Sequence, residues 1–271
     1  MQESRSLSAS LSPPLRYLII KFKDSRTILF PYSFETNMGQ KLFEYLIIIL
    51  RWAEVWALFI PLLVFLTHRK GSSSLFPIQF YLFLGLALNI MITLISNVPF
   101  FHEKWGSNHI YYNLHSIVKV AVFGWFIARN LPAFSSNITK LIFIFYGIFI
   151  VWNFYSFQSI NELSSRVLTI ESIILLFLSI TWYLYDLQGD QKDGNHKEAI
   201  FIAIAGLCIY EAISFFIFLF YNTLIISSVR FATNIWKVHD IGFIILCLFL
   251  AKAFYKVRKR AELLIGRTGT Q

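Results

Sequence analysis

The chain is 271 residues long, 56% hydrophobic and only 14% charged, with a mean hydropathy of +0.60 and a formal net charge of +9. Soluble domains use about 45–50% apolar and about 25% charged residues, so this composition excludes an ordinary water-soluble globule. The positive charge lies in loops and at the C-terminal tail rather than in a stripe that could track a phosphate backbone, which excludes a nucleic-acid partner.

Residues 1–37 are Ser-rich, contain Pro13-Pro14, and lack the charged start, apolar stretch and cleavage site of a signal peptide. They read as an N-terminal extension, disordered or untranslated, with Met38 as the natural start just before the first apolar block. Seven blocks follow, near 42–67, 77–98, 109–128, 138–157, 166–186, 199–221 and 235–256. Each is close to the roughly 20 residues that a helix needs to cross hydrocarbon. Backbone groups in lipid must be satisfied within their own segment, and the short alternating segments of a β-barrel do not occur, so the blocks are helices. The fold class is all-α: a polytopic bundle of seven transmembrane helices, 38–271, with a basic C-terminal tail. The breaks carry turn chemistry, as in Arg69-Lys70-Gly71-Ser72 and Glu103-Lys104-Trp105-Gly106. Pro61 predicts a kink inside the first block. Cys208 and Cys247 lie deep in apolar blocks and offer neither a disulfide framework nor metal-ligand spacing.

The basic residues set an orientation. If the first helix begins outside, the outer flanks from Met38 onward hold five (Lys41, Lys104, Arg166, Arg230, Lys237). The opposite side holds eleven (Arg69, Lys70, Arg129, Lys140, Lys192, Lys197, Lys256, Arg258, Lys259, Arg260, Arg267). This bias places the N-terminus outside and the C-terminus in the cytoplasm. Counting residues 1–37 adds Arg5, Arg16, Lys21, Lys23 and Arg26 to the outside and shrinks the contrast to eleven against ten. The run Lys256, Arg258, Lys259 and Arg260 is an orientation signal and a candidate contact for anionic lipid or a cytoplasmic partner.

A parallel repeat of three, one and three helices is suggested by short correspondences. Tyr111-Tyr112-Asn113-Leu114-His115 opens the third block and Ile235-Trp236-Lys237-Val238-His239 the seventh. Gly85-Leu86-Ala87-Leu88-Asn89 in the second matches Gly206-Leu207-Cys208-Ile209-Tyr210 in the sixth, and Glu54 in the first answers Glu171 in the fifth.

The candidate site comes from the charges the blocks retain. A charge at the centre of a spanning helix costs about 2.5–3.5 kcal/mol on insertion scales, yet Arg51, Glu54, His115, Lys119, Glu171, Glu211, His239 and Asp240 all lie inside the blocks. Glu54, Asn89, Lys119 and Glu211 fall near mid-depth, and His115, Glu171, His239 and Asp240 nearer the outer face. Side chains that merely snorkel would gather at helix ends instead. The shared depth predicts an outward-facing polar cavity that binds a ligand or protons through Glu54, His115, Lys119, Glu171, Glu211, His239 and Asp240. Arg51 and Glu54, three residues apart, are expected to form a structural pair. Glu171 or Asp240 is the expected carboxylate beside Lys119 and His115.

No catalytic residue and no cofactor is assigned. A retinal protein would need a lysine midway along the last helix, whereas Lys252 lies near its inner end. A G-protein-coupled receptor of eukaryotic type would carry an acidic residue before Arg129, which follows Ile127-Ala128 instead. The remaining readings are a small-molecule or proton sensor acting through a cytoplasmic partner, a proton-coupled small-solute carrier, and an intramembrane metal-dependent hydrolase using His115, His239, Asp240 and Glu171. The sensor leads, because no block is broken by the Gly-Pro pairs that mark carrier sites.

The passages Asn108-His109-Ile110-Tyr111-Tyr112-Asn113, Gly206-Leu207-Cys208-Ile209-Tyr210 and Ile235-Trp236-Lys237-Val238-His239 resemble a group of uncharacterised seven-helix proteins of Bacteroidota-type bacteria. The likeness covers residues 38–260. It implies a bacterial inner membrane and a start near Met38, and carries no activity onto any residue.

Overall fold

The computed structural model describes residues 38–67, 75–131, 133–188 and 194–268, and every described element is a helix. The expected N-terminal extension, the turn at 69–72 and the side chains of Arg258, Lys259 and Arg260 lie outside the described residues. The chain divides into two units, Met1–Tyr45 and Leu46–Gln271. Of the first, only the helical segment 38–45 is described. The helices are α1 (Met38–Arg51), α2 (Ala53–Thr67), α3 (Phe76–Asn97), α4 (Pro99–Trp105), α5 (His109–Arg129), α6 (Ala133–Ser156), α7 (Ser165–Gln188), α8 (Gly194–Ser227) and α9 (Val229–Thr268).

Six of these helices are long and apolar enough to cross a membrane, and the bent pair of α1 and α2 makes a seventh if it is one span. The chain is a multi-pass, all-α membrane protein. Large apolar side chains such as Phe59, Leu63, Phe80, Ile148, Phe177 and Leu248 are exposed on the outside of the bundle, where lipid rather than water is the natural solvent.

The first block breaks at a different place from the one expected. α2 runs unbroken through the buried Pro61, whereas the segments on either side of Trp52 meet at 70°. The indole Nε1 of Trp56 donates to the Ile49 carbonyl across that bend at 2.9 Å, supplying a side-chain donor where the helical ladder is interrupted. The loop between the second and third blocks contains the short helix α4 and turns at Gly106, whose φ of +72° suits a residue without Cβ.

Within Leu46–Gln271 the spanning helices close a ring. α8 packs on α9, α9 on α2, α2 on α3, α3 on α5, α5 on α7, and α7 back on α8. Exchanging the first span with the fifth, the second with the sixth and the third with the seventh maps this ring onto itself, as a three-one-three repeat requires. α6, the middle span, stands outside the ring. It buries Thr139, Tyr146 and Asn153, one line of positions seven apart, and exposes Ile144, Ile148 and Val151 between them. Tyr146 and Asn153 reach Ser116 and Ser164 at 3.4 and 3.1 Å.

Gly206 permits the close approach of α8 to α9, since a Cβ there would run into the Phe249 side chain. Gly206→Val is expected to overpack this contact at a cost of about 1–3 kcal/mol, read as a lowered melting temperature of the detergent-solubilised protein. Gly147→Val is the control, because nothing lies within 4 Å of an added Cβ at that position.

Candidate functional site

The ring gathers its polar side chains toward one end, where α5 and α9 begin and α3 and α8 finish. Two adjoining spaces result, which share lining residues. The outer one, a vestibule of about 430 Å³, is lined by Arg51, Glu54, Thr93, Tyr112, Trp236 and Asp240 among others. The inner one is a chamber of about 20 Å³, lined by Asn89, His115, Lys119, Glu171, Tyr210 and His239 together with Glu54 and Tyr112. Room for a water needs about 10–15 Å³, so the chamber accommodates a single water-sized molecule. Glu54 and Tyr112 line both spaces, with the phenol donating to Glu54 Oε2 at 3.3 Å. They form the wall between vestibule and chamber.

At the centre of the chamber Lys119 Nζ lies 2.5 Å from Glu171 Oε1 and 3.0 Å from Glu211 Oε1. The three side chains come from α5, α7 and α8 and are 3%, 1% and 0% exposed. At these distances both contacts are ion pairs. Glu171 Oε2 and Glu211 Oε2 have no hydrogen-bond partner among the described residues. Lys119 also donates to the Tyr210 hydroxyl at 3.4 Å and sits 4.4 Å from the centre of that ring, within cation–π range.

Two tyrosine–histidine contacts flank the lysine. Tyr81 of α3 meets His115 Nε2 of α5 at 3.0 Å, and Tyr210 of α8 meets His239 Nε2 of α9 at 3.2 Å. Ser214 takes His239 Nδ1 at 3.2 Å, so both nitrogens of that ring are engaged. The pairs occupy corresponding helices of the two halves but not corresponding registers. Tyr81 precedes Gly85 by four residues, whereas Tyr210 follows Gly206 by four. Lys119 has Phe243 at the matching position in α9, so the lysine is where the halves depart from each other.

His115, Lys119, Glu171 and His239 line the chamber, Glu211 reaches it through Lys119, and Glu54 stands at its entrance. Three expectations need correction. Of the two carboxylates expected beside Lys119, Glu171 is there, joined by Glu211, whereas Asp240 faces the vestibule. His115 bonds Tyr81 rather than a carboxylate. Arg51 and Glu54 form no ion pair, because the 70° break at Trp52 removes the helical register that would bring them together. At the opposite end Lys256 pairs with Glu198 at 2.6 Å and Lys197 with Asp186 at 3.7 Å. Both pairs are partly exposed, where such contacts contribute little.

Sequence reasoning missed Tyr81, Tyr210 and Asn113. A signal existed for the tyrosines: Tyr81 shares a face with Asn89, two turns away, and Tyr210 adjoins Glu211. Asn113 had none. Its amide donates to the Ile160 and Glu162 carbonyls, both at 2.9 Å, and its oxygen accepts from Ser164 N at 3.1 Å. Those partners lie in the α6–α7 loop, and no spacing links them to α5.

Among the described residues no three His, Cys, Asp or Glu side chains gather closely enough to hold a metal ion. Comparison with protein-family models, with curated proteins and with solved structures returns no match to this chain.

Proposed function

We propose that the chain is a sensor in a bacterial inner membrane, with its N-terminus outside, that takes up a small molecule or a proton at the outer face and acts through a cytoplasmic partner. One observation carries this reading. The polar groups lie toward the vestibule end, while the opposite half of the ring is filled by packed apolar side chains, among them Leu82, Phe126, Leu178, Leu207, Leu250 and Phe254. A pocket with a packed floor suits a site whose occupancy is read through helix packing. A ligand shifts such an equilibrium only by as much as it prefers one packing to the other. The proton alternative draws on charge: one ammonium faces two carboxylates, and a single proton shared by that pair balances the surplus. The bacterial membrane follows from the sequence resemblance and the orientation from the distribution of Lys and Arg.

A second reading, a proton-coupled carrier of a small solute, is favoured by the self-mapping order of the ring, because carriers built from repeats hold their sites between the two halves. Proteoliposomes with an internal pH-sensitive dye and an imposed pH gradient separate the two. The sensor is expected to pass no more protons than protein-free vesicles. A flux abolished by Lys119→Ala or Glu211→Gln rejects the sensor in favour of the carrier. The hydrolase reading gains no support from the arrangement of His115, His239, Asp240 and Glu171.

A further inference from the structure

The vestibule has an acidic, aromatic interior. Asp240 is 6% exposed, lines the vestibule, and has neither a hydrogen bond nor an ion pair among the described residues. A carboxylate buried to that degree without a partner is costly unless something in the space it faces compensates it. Glu54 lines the same space and is met there by neutral donors, the Tyr112 hydroxyl at 3.3 Å and the Trp236 indole. Three aromatic rings share the wall. Trp236 meets Tyr112 edge-on at 5.5 Å between centroids and Tyr221 at 5.8 Å. Two carboxylates among electron-rich aromatic rings select a cation. The volume of about 430 Å³ lies within the range of organic-ligand sites and far exceeds a bare metal ion.

Arg51 and Lys237 also line the vestibule. Lys237 precedes Asp240 by three residues on α9, which runs inward from that end, and is half-buried where Asp240 is buried. Arg51, the last residue of α1, is exposed across the bend from the half-buried Glu54, so both cations lie nearer the mouth than the carboxylates. Lys237 spends one donor on Asn234 at 3.0 Å, and neither cation pairs with an acid among the described residues. Positive charge at the mouth and negative charge within match a molecule with an ammonium at its leading end and an anionic or polar group behind.

We propose that the vestibule binds a small organic ammonium ion, its cationic head against Asp240 and Glu54 within the walls of Tyr112, Tyr221 and Trp236. The inference rests on the reading of the vestibule as a ligand entrance and names the class of ligand. Its test measures binding alone: isothermal titration calorimetry of the full chain in nanodiscs with choline and butylammonium, set against dimethylbutanol and butanol, their uncharged counterparts.

Saturable binding of the cations is expected, with the uncharged counterparts at least about tenfold weaker. Asp240→Asn and Glu54→Gln should each weaken the cations by about tenfold or more. Arg51→Gln should leave both simple amines unaffected and weaken betaine, which carries a carboxylate behind its ammonium. Equal binding of charged and uncharged compounds, no saturable binding of either amine, or indifference to both carboxylate substitutions overturns the proposal. If Asp240→Asn fails to fold, the comparison of cation with uncharged counterpart on the unaltered chain decides. Amine binding together with a Lys119-dependent proton flux would overturn the sensor and leave this inference standing. Absent amine binding in a chain that passes no protons would do the reverse.

Discussion

Replacing Lys119 with methionine is expected to destabilise the folded bundle by about 3–5 kcal/mol, the cost of removing one partner from a buried ion pair. Among the described residues the lysine is the one cation within ion-pair distance of Glu171 and Glu211, and the three side chains are almost wholly buried. Without it two carboxylates face each other with no compensating charge. The triple variant Lys119→Met, Glu171→Gln, Glu211→Gln removes the charges together, and most of the lost stability should return, since neutral replacement of a whole buried network is often tolerated. Thermal unfolding of the purified protein in one detergent measures both. A single variant as stable as the parent would show that the carboxylates do not depend on the lysine.

Asn113→Ala is expected to cost about 1–3 kcal/mol, because it leaves the buried Ser164 N–H without its partner, while the Ile160 and Glu162 carbonyls, on exposed residues, can turn to water. The amide spans from α5 to residues 160–164, tying the start of the helix that carries Tyr112, His115 and Lys119 to the α6–α7 loop. Asn113→Asp separates the two functions of the side chain. It keeps the acceptor for Ser164 N but turns the two donor contacts into a carboxylate against two carbonyls, so it should be no more stable than the alanine variant. Hydrogen exchange should locate the added opening at 157–164 and the first turns of α5. Exchange changes spread evenly over the bundle would indicate that Asn113 packs rather than ties.

The two residues show how far the sequence could be read. Lys119 was conspicuous because a charge at mid-span in an apolar block is expensive and rarely idle. Asn113 was not, because asparagine near a helix start looks like ordinary loop and cap chemistry, and its partners are the backbone of a distant loop. The same contrast holds for Arg51 and Glu54. Their spacing fits a helical pair, and only the bend at Trp52 parts them. Pro61 is the converse: it carries a standard signal for a kink, yet α2 continues through it.

Sequence alone determined the class of molecule, the apolar blocks, and the place along its block that each charged residue takes. Depth is a one-dimensional property: a helix rises about 1.5 Å per residue, so position along a block is position across the membrane. Which way a side chain faces around its helix has meaning only relative to neighbours, and those are chosen by packing between segments far apart in the chain. The tertiary structure therefore decided that Lys119 meets Glu171 and Glu211, that His115 and His239 turn to tyrosines, and that Asp240 faces the vestibule instead of the lysine.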